Sequence, residues 1–230
     1  GVVIADRPQI ITPQALRDQF SGFGPLPRHG FARNRIWTRI DPQDPSRAAF
    51  ELRDDASTRV LWPHAFVARL DIALGDDALA TSLSVMNTGG TDFSFTAALH
   101  TYLAVQDIAT VALRGFGQRP YLDATQQLRE ALEQRALVRF DGELDRVFKA
   151  IPGEFEVIDG DDRIFVQRAG FADAVVWNPG AAKAAALSDL DNAGERRFLC
   201  VEPAVFDPPV ILTPGATWRG TQVLRYARPI

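Results

Sequence analysis

Phe66-Val67-Ala68-Arg69-Leu70-Asp71-Ile72-Ala73-Leu74 leads through Gly75-Asp76-Asp77 into Ala78-Leu79-Ala80-Thr81-Ser82-Leu83-Ser84-Val85. In the first run Leu70, Ile72 and Leu74 fall on one side, with Arg69 and Asp71 on the other. In the second, Leu79, Leu83 and Val85 alternate with Ala80, Ser82 and Ser84. Period-two alternation on both sides of a Gly-Asp-Asp turn predicts an antiparallel hairpin. Asn87-Thr88-Gly89-Gly90 supplies the next turn, from residue types that tolerate positive φ. Working outward, further strands are expected at 36–40, 48–53, 110–113, 137–141, 155–158, 163–168, 174–177, 197–201 and 222–226. Only Pro13–Gln19 and Thr125–Arg135 have a helical pattern, the latter with Leu128, Leu132 and Leu137 loosely on one face. Many short strands divided by Gly, Pro and Asp turns predict an all-β sandwich. With no internal repeat, low-complexity tract or linker, residues 1–230 are expected to form a single domain.

Composition narrows the function classes. The 230 residues are 46% hydrophobic and 10% aromatic, enough for a sizeable core. A net charge of −4 gives no global electrostatic case for nucleic acid or an anionic membrane. No apolar run approaches the roughly 20 residues that span a bilayer. Val2–Ala5 is too short for the apolar core of a signal peptide. The one cysteine, Cys200, excludes an internal disulfide framework and a Cys-rich zinc site, so a reducing compartment, the cytoplasm, is expected. The basic residues are 23 Arg against Lys149 and Lys183, which fits a GC-rich coding bias; arginine's planar fork also suits a phosphate or carboxylate clamp. The chain opens on Gly1 and its only methionine is Met86, so residues are expected to have been removed from the front.

One strand, 93–103, carries the most information. Phe93, Phe95, Ala97 and Leu99 fit a sheet core, whereas Ser94, Thr96, His100 and Tyr102 face solvent or a cleft. His100 is therefore either an ordinary hydrogen-bonded surface histidine or one available for chemistry. In 197–202, Phe198, Cys200 and Glu202 share a face. Glu202, between Val201 and Pro203, is either a surface carboxylate paired with arginine or a partly buried one whose raised pKa suits a base near neutrality. Asp141, Glu143 and Asp145 occupy alternate positions, a pattern most common on a solvated edge, and spacing does not choose between them.

Several chemistries drop out. His29, His64 and His100 form no paired metal-ligand motif, and no metal is expected. There is no nucleophile elbow, phosphate-binding P-loop or dinucleotide fingerprint. Cys200 reads as a small buried residue, not a nucleophile.

Six segments in order resemble one family. They are His29-Gly30-Phe31-Ala32-Arg33, His100-Thr101-Tyr102, Gly142-Glu143-Leu144-Asp145-Arg146-Val147-Phe148, Val176-Trp177-Asn178-Pro179, Val201-Glu202-Pro203-Ala204, and Pro214-Gly215 with Trp218. The chain resembles, from about Phe23 to its end, the glucose-6-phosphate 1-epimerases, or hexose-6-phosphate mutarotases, of the galactose-mutarotase-like group. The resemblance implies a large antiparallel β-sandwich that interconverts the α and β anomers of a hexose 6-phosphate without metal or organic cofactor. It implies Glu202 as the base on the anomeric hydroxyl and His100 as the acid on the ring oxygen. It also implies substrate binding by Arg33 and Asp145, with His29 in the cleft. His64 is expected to be structural, and Tyr102 and Trp177 to pack either against sugar or, more commonly, in the core.

The resemblance stops at the front. The family's R-G-G-I-P-type segment and its substrate-binding arginine have no match in residues 14–24, leaving Arg7 and Arg17 as replacements. The expectation is a domain lacking N-terminal strands, either through trimming or through a rebuilt cleft edge. Two alternatives follow: a catalytically inactive carbohydrate-binding sandwich, or a mutarotase of an unphosphorylated aldose.

Overall fold

The computed structural model describes residues 2–5, 26, 29–40 and 44–227. The helix expected at 13–19 and the candidates Arg7 and Arg17 lie outside these. Strands dominate. They are β1 (Val2–Ala5), β2 (Thr38–Arg39), β3 (Arg47–Arg53), β4 (Phe66–Leu74), β5 (Ala78–Asn87) and β6 (Phe93–Leu99). Next come β7 (Tyr102–Ala104), β8 (Ala112–Arg114), β9 (Pro120–Asp123), β10 (Arg129–Leu132), β11 (Leu137–Arg139) and β12 (Leu144–Phe148). The last are β13 (Glu154–Asp159), β14 (Asp162–Ala169), β15 (Asp173–Asn178), β16 (Phe198–Leu212) and β17 (Thr217–Ala227). Among the described residues, two short α-helices, α1 (Ala56–Leu61) and α2 (Gly180–Ala184), interrupt them.

One sheet has the order β1-β6-β16-β15-β12-β9-β10, with β7 also on β16; the other runs β11-β8-β13-β14-β17-β5-β4-β3-β2. The 66–87 hairpin forms as its alternation requires, with Leu70 opposite Leu83 and Ala68 opposite Val85. The all-β expectation therefore holds.

Chain packing separates two compact units. The first comprises residues 1–99, 168–171 and 205–223. Its core joins Phe66, Ala68, Leu83 and Val85 of one sheet to Phe93, Phe95, Ala97 and Leu99 of the other, with Phe31 and Trp62. The second comprises residues 100–167, 172–204 and 224–230. Its core sets Leu113, Phe155, Val157 and Val166 against Phe148, Ala174, Val176, Leu199 and Val201. Each unit is thus two sheet layers closed over apolar faces.

Two local expectations are corrected. Residues 125–135 are not helical: a single 3₁₀ turn at Ala124–Gln126 gives way to β10. The Asp123 carboxylate accepts from Thr125 N at 3.0 Å, and Gln127 and Leu128 are both left-handed (φ 56° and 59°), which a continuing helix forbids. The strand expected at 93–103 is broken after Leu99, so His100 and Thr101 connect β6 to β7 instead of lying within a strand. Helix α1, absent from the sequence reading, starts with a reciprocal cap: Ser57 N and Thr58 N donate to Asp55 Oδ1 and Asp55 N donates to Thr58 Oγ1, all at 2.8 Å.

Candidate active site

Four strands of the second unit build the site: β12, β15, the start of β16, and β7. Alternation sends Leu144, Phe148, Ala174, Val176, Leu199 and Val201 into the core, so Asp145, Trp177, Cys200 and Glu202 occupy the opposite face. Register then lines them up. Asp145 pairs with Trp177, Trp177 with Cys200, and Cys200 with Tyr102, one row across four strands. Glu202 stands two residues beyond Cys200, opposite Val175.

The end of β15 is fixed by Asn178, which is buried. Its Nδ2 donates to Glu195 O at 2.8 Å and Phe198 O at 3.0 Å, while its Oδ1 accepts from Gly180 N at 2.9 Å. This clasp ties β15 to the entrance of β16. Gly180 has φ +63°, and a Cβ there would collide with the backbone of Glu143 next to β12.

His100 Nδ1 lies 3.3 Å from Glu202 Oε1, the two side chains being 11% and 6% exposed. Tyr102 stacks on the imidazole with centroids 4.8 Å apart and planes 9° from parallel. Trp177 meets its edge at 6.3 Å and 81°, and Phe198 touches both Tyr102 and Trp177. The rings wall one side of the pair.

Burial, reinforced by the negative charge of Asp145, pushes the Glu202 carboxyl up to about 8. Burial likewise raises the Cys200 thiol, with Glu202 adding to the effect. The resulting arrangement holds a histidine and a high-pKa carboxyl at one point, able to give and take protons on neighbouring oxygens of one ligand.

Of the residues singled out by sequence, His100, Glu202 and Asp145 come together in this unit. Asp145, buried in β12, differs from exposed Asp141 and from Glu143, whose Oε1 accepts from Lys183 Nζ at 2.6 Å. His29 and Arg33 belong to the first unit. His29 and Gly30 adopt left-handed backbone (φ 65° and 68°), and Phe31 and Ala32 anchor the loop in that unit's core. Arg33 projects exposed from a 3₁₀ turn at Ala32–Asn34. His64 packs between Trp62 and Phe93, with centroids at 5.0 and 5.3 Å.

Tyr102 and Trp177 are not core residues: Tyr102 is 58% exposed, Trp177 half-buried, and both contact His100. Phe198 and Cys200, which alternation puts on the Glu202 face, were not expected to line the site. Their signal was the shared alternation of Phe198, Cys200 and Glu202.

A family model described as aldose 1-epimerase matches residues 13–225. The chain belongs to the aldose 1-epimerase family. A Cenchrus ciliaris protein provisionally named glucose-6-phosphate 1-epimerase is 40% identical over 216 residues, covering 88% of this chain and 65% of that protein. One from Escherichia coli K12 with the same provisional name is 33% identical, covering 79% and 63%. This aldose 1-epimerase family chain therefore spans just under two thirds of the length of these relatives. Among solved structures, a Salmonella typhimurium protein provisionally described as a mutarotase aligns with a TM-score of 0.82 at 27% identity, covering 100% of this chain and 74% of that one. A Synechocystis protein aligns at 0.77 with 20% identity, over 100% and 78%, a likeness of fold. Within the aldose 1-epimerase family, the two-sheet architecture is thus shared with galactose-mutarotase-like proteins.

Proposed function

We propose that this chain interconverts the α and β anomers of a hexose 6-phosphate by acid–base ring opening. The observation that carries the reading is the 3.3 Å approach of His100 Nδ1 to Glu202 Oε1 on the sheet face that also bears Asp145. Glu202, as carboxylate, takes the proton from the anomeric hydroxyl. His100, as imidazolium, gives one to the ring oxygen, and the C1–O5 bond opens to the aldehyde. Both oxygens are bonded to the same carbon, so acid and base must sit side by side. Rotation about C1–C2 and reclosure on the other carbonyl face reverse both proton transfers.

Asp145 accepts from a sugar hydroxyl, and the family resemblance assigns substrate binding to Arg33 and His29 as well. The phosphate assignment is supported by the names of the relatives and by the exposed guanidinium of Arg33, which has no carboxylate partner among the described residues. Cytoplasmic location is supported by the free, buried Cys200. Among the described residues no helix is long and apolar enough to cross a membrane.

The test is NMR exchange between the two anomers of glucose 6-phosphate at neutral pH, with catalytic amounts of protein. Acceleration is expected, falling by about 100-fold or more in His100→Ala and Glu202→Gln with circular dichroism unchanged. Equal rates in parent and both variants would overturn the assignment. Binding of sugar phosphate without acceleration would instead identify a carbohydrate-binding sandwich.

A further inference from the structure

Among the described residues, one group of donor side chains has the composition of a transition-metal site: His100, Cys200 and Glu202, whose ligand atoms all lie within 4.8 Å of one another. We propose that these three side chains bind a single zinc-class divalent cation, which blocks the face where sugar chemistry is expected.

The geometry favours a tetrahedral ion. At zinc bond lengths of about 2.0–2.2 Å to nitrogen and oxygen, two ligands on a tetrahedron stand about 3.3–3.5 Å apart. His100 Nδ1 and Glu202 Oε1 are 3.3 Å apart, already one edge of that figure. A sulfur at about 2.3 Å from the ion sits about 3.6 Å from its neighbours. Adjustment of roughly an ångström in side-chain torsions therefore closes the third corner, leaving a fourth position for water. Rigid backbone supports the set: Cys200 and Glu202 are two apart on β16, and Cys200 is in register with Trp177 and Tyr102. The donor types decide the ion. One thiolate, one imidazole and one carboxylate suit zinc or cobalt, whereas magnesium and calcium require an all-oxygen shell. On binding, the Cys200 thiol and the Glu202 carboxyl release their protons to solvent, and His100 coordinates as the neutral ring.

Metal binding does not rest on the epimerase reading, though its consequence does. An ion held there occupies the lone pairs of both proton-transfer groups, so zinc halts anomer exchange and a chelator restores it.

The experiment is cobalt(II) titration of the sugar-free protein under anaerobic, reducing conditions. Because Cys200 is the only cysteine, a thiolate-to-cobalt charge-transfer band identifies its ligand without ambiguity. The expected result is a band saturating at one ion per chain and displaced by zinc. His100→Ala and Glu202→Gln should each weaken binding by more than about 100-fold, the upper end of what losing a mere outer partner costs. Absence of the band in the parent protein overturns the proposal, as does a band of undiminished affinity in both variants. The resting protein is read without turnover, so a chain inactive on sugars still shows the band. An active chain without the band removes only the metal site.

Discussion

Burial of Glu202 on the face of β16 opposite the core keeps its carboxyl protonated far above its usual range, and this shapes both rate and stability. Burial is the larger cause and the charge of Asp145 the second. If ionised Glu202 is the base and His100 keeps its proton over the same range, kcat/KM climbs as pH rises through about 8 in the free enzyme. Asp145→Asn removes the repelling charge, so the same limb is expected at lower pH; a limb that stays in place would show that Asp145 does not act on Glu202. If Asp145 also accepts from a sugar hydroxyl as proposed, KM should rise in the variant independently of pH. Stability carries the opposite sign. Between the unfolded carboxyl pKa and about 8 the native chain holds a proton that the unfolded chain has released. By linkage, native stability then falls as pH rises across that window. Glu202→Gln removes the effect, so its melting temperature should exceed the parent's by about 5 °C above pH 8 and converge with it near pH ~4. A difference independent of pH would locate the gain elsewhere than in ionisation.

Elements of local pattern were legible in the sequence, and those defined by distant partners were not. The β4–β5 hairpin and the core face of β6 follow from alternation that any neighbour would satisfy. By contrast, 125–135 has a helical stripe, yet pairing of Arg129–Leu132 with β9 prevails over it. Strand β16 was expected to end at Val201 but continues through Pro203, Pro208 and Pro209 to Leu212. In the site, the apolar flanks of Glu202 left a surface and a buried carboxylate both open, and burial in the fold selects the raised pKa. The role of Asp145 was not legible, because its proximity depends on the β12–β15–β16 register, which no local spacing encodes. Asn178 shows how much that register depends on one side chain. Asn178→Ala deletes two donated bonds and one accepted bond at a buried junction, leaving the carbonyls of Glu195 and Phe198 without this donor. The expected loss is about 1–3 kcal/mol, lowering the melting temperature by roughly 5 °C. An unchanged melting temperature would mean that the β15–β16 junction is held by its backbone alone.

Charge over the whole molecule sets a test of phosphate recognition that no single residue provides. The chain carries a net −4 despite 23 arginines. A hexose 6-phosphate is itself an anion, so the average field repels it, and only local guanidinium groups, such as the proposed Arg33, would reverse that sign. Salt separates the two effects, because charges more than about 10 Å apart are largely screened at ~0.1 M. If arginines guide the phosphate, kcat/KM for glucose 6-phosphate falls about two- to fivefold as ionic strength rises from roughly 0.02 to 0.2 M, mostly through KM. If the substrate meets only the net field, the same change of salt raises kcat/KM. Unphosphorylated glucose, being neutral, should show neither trend, and comparable turnover of the two sugars with no salt dependence would identify a mutarotase of plain aldoses.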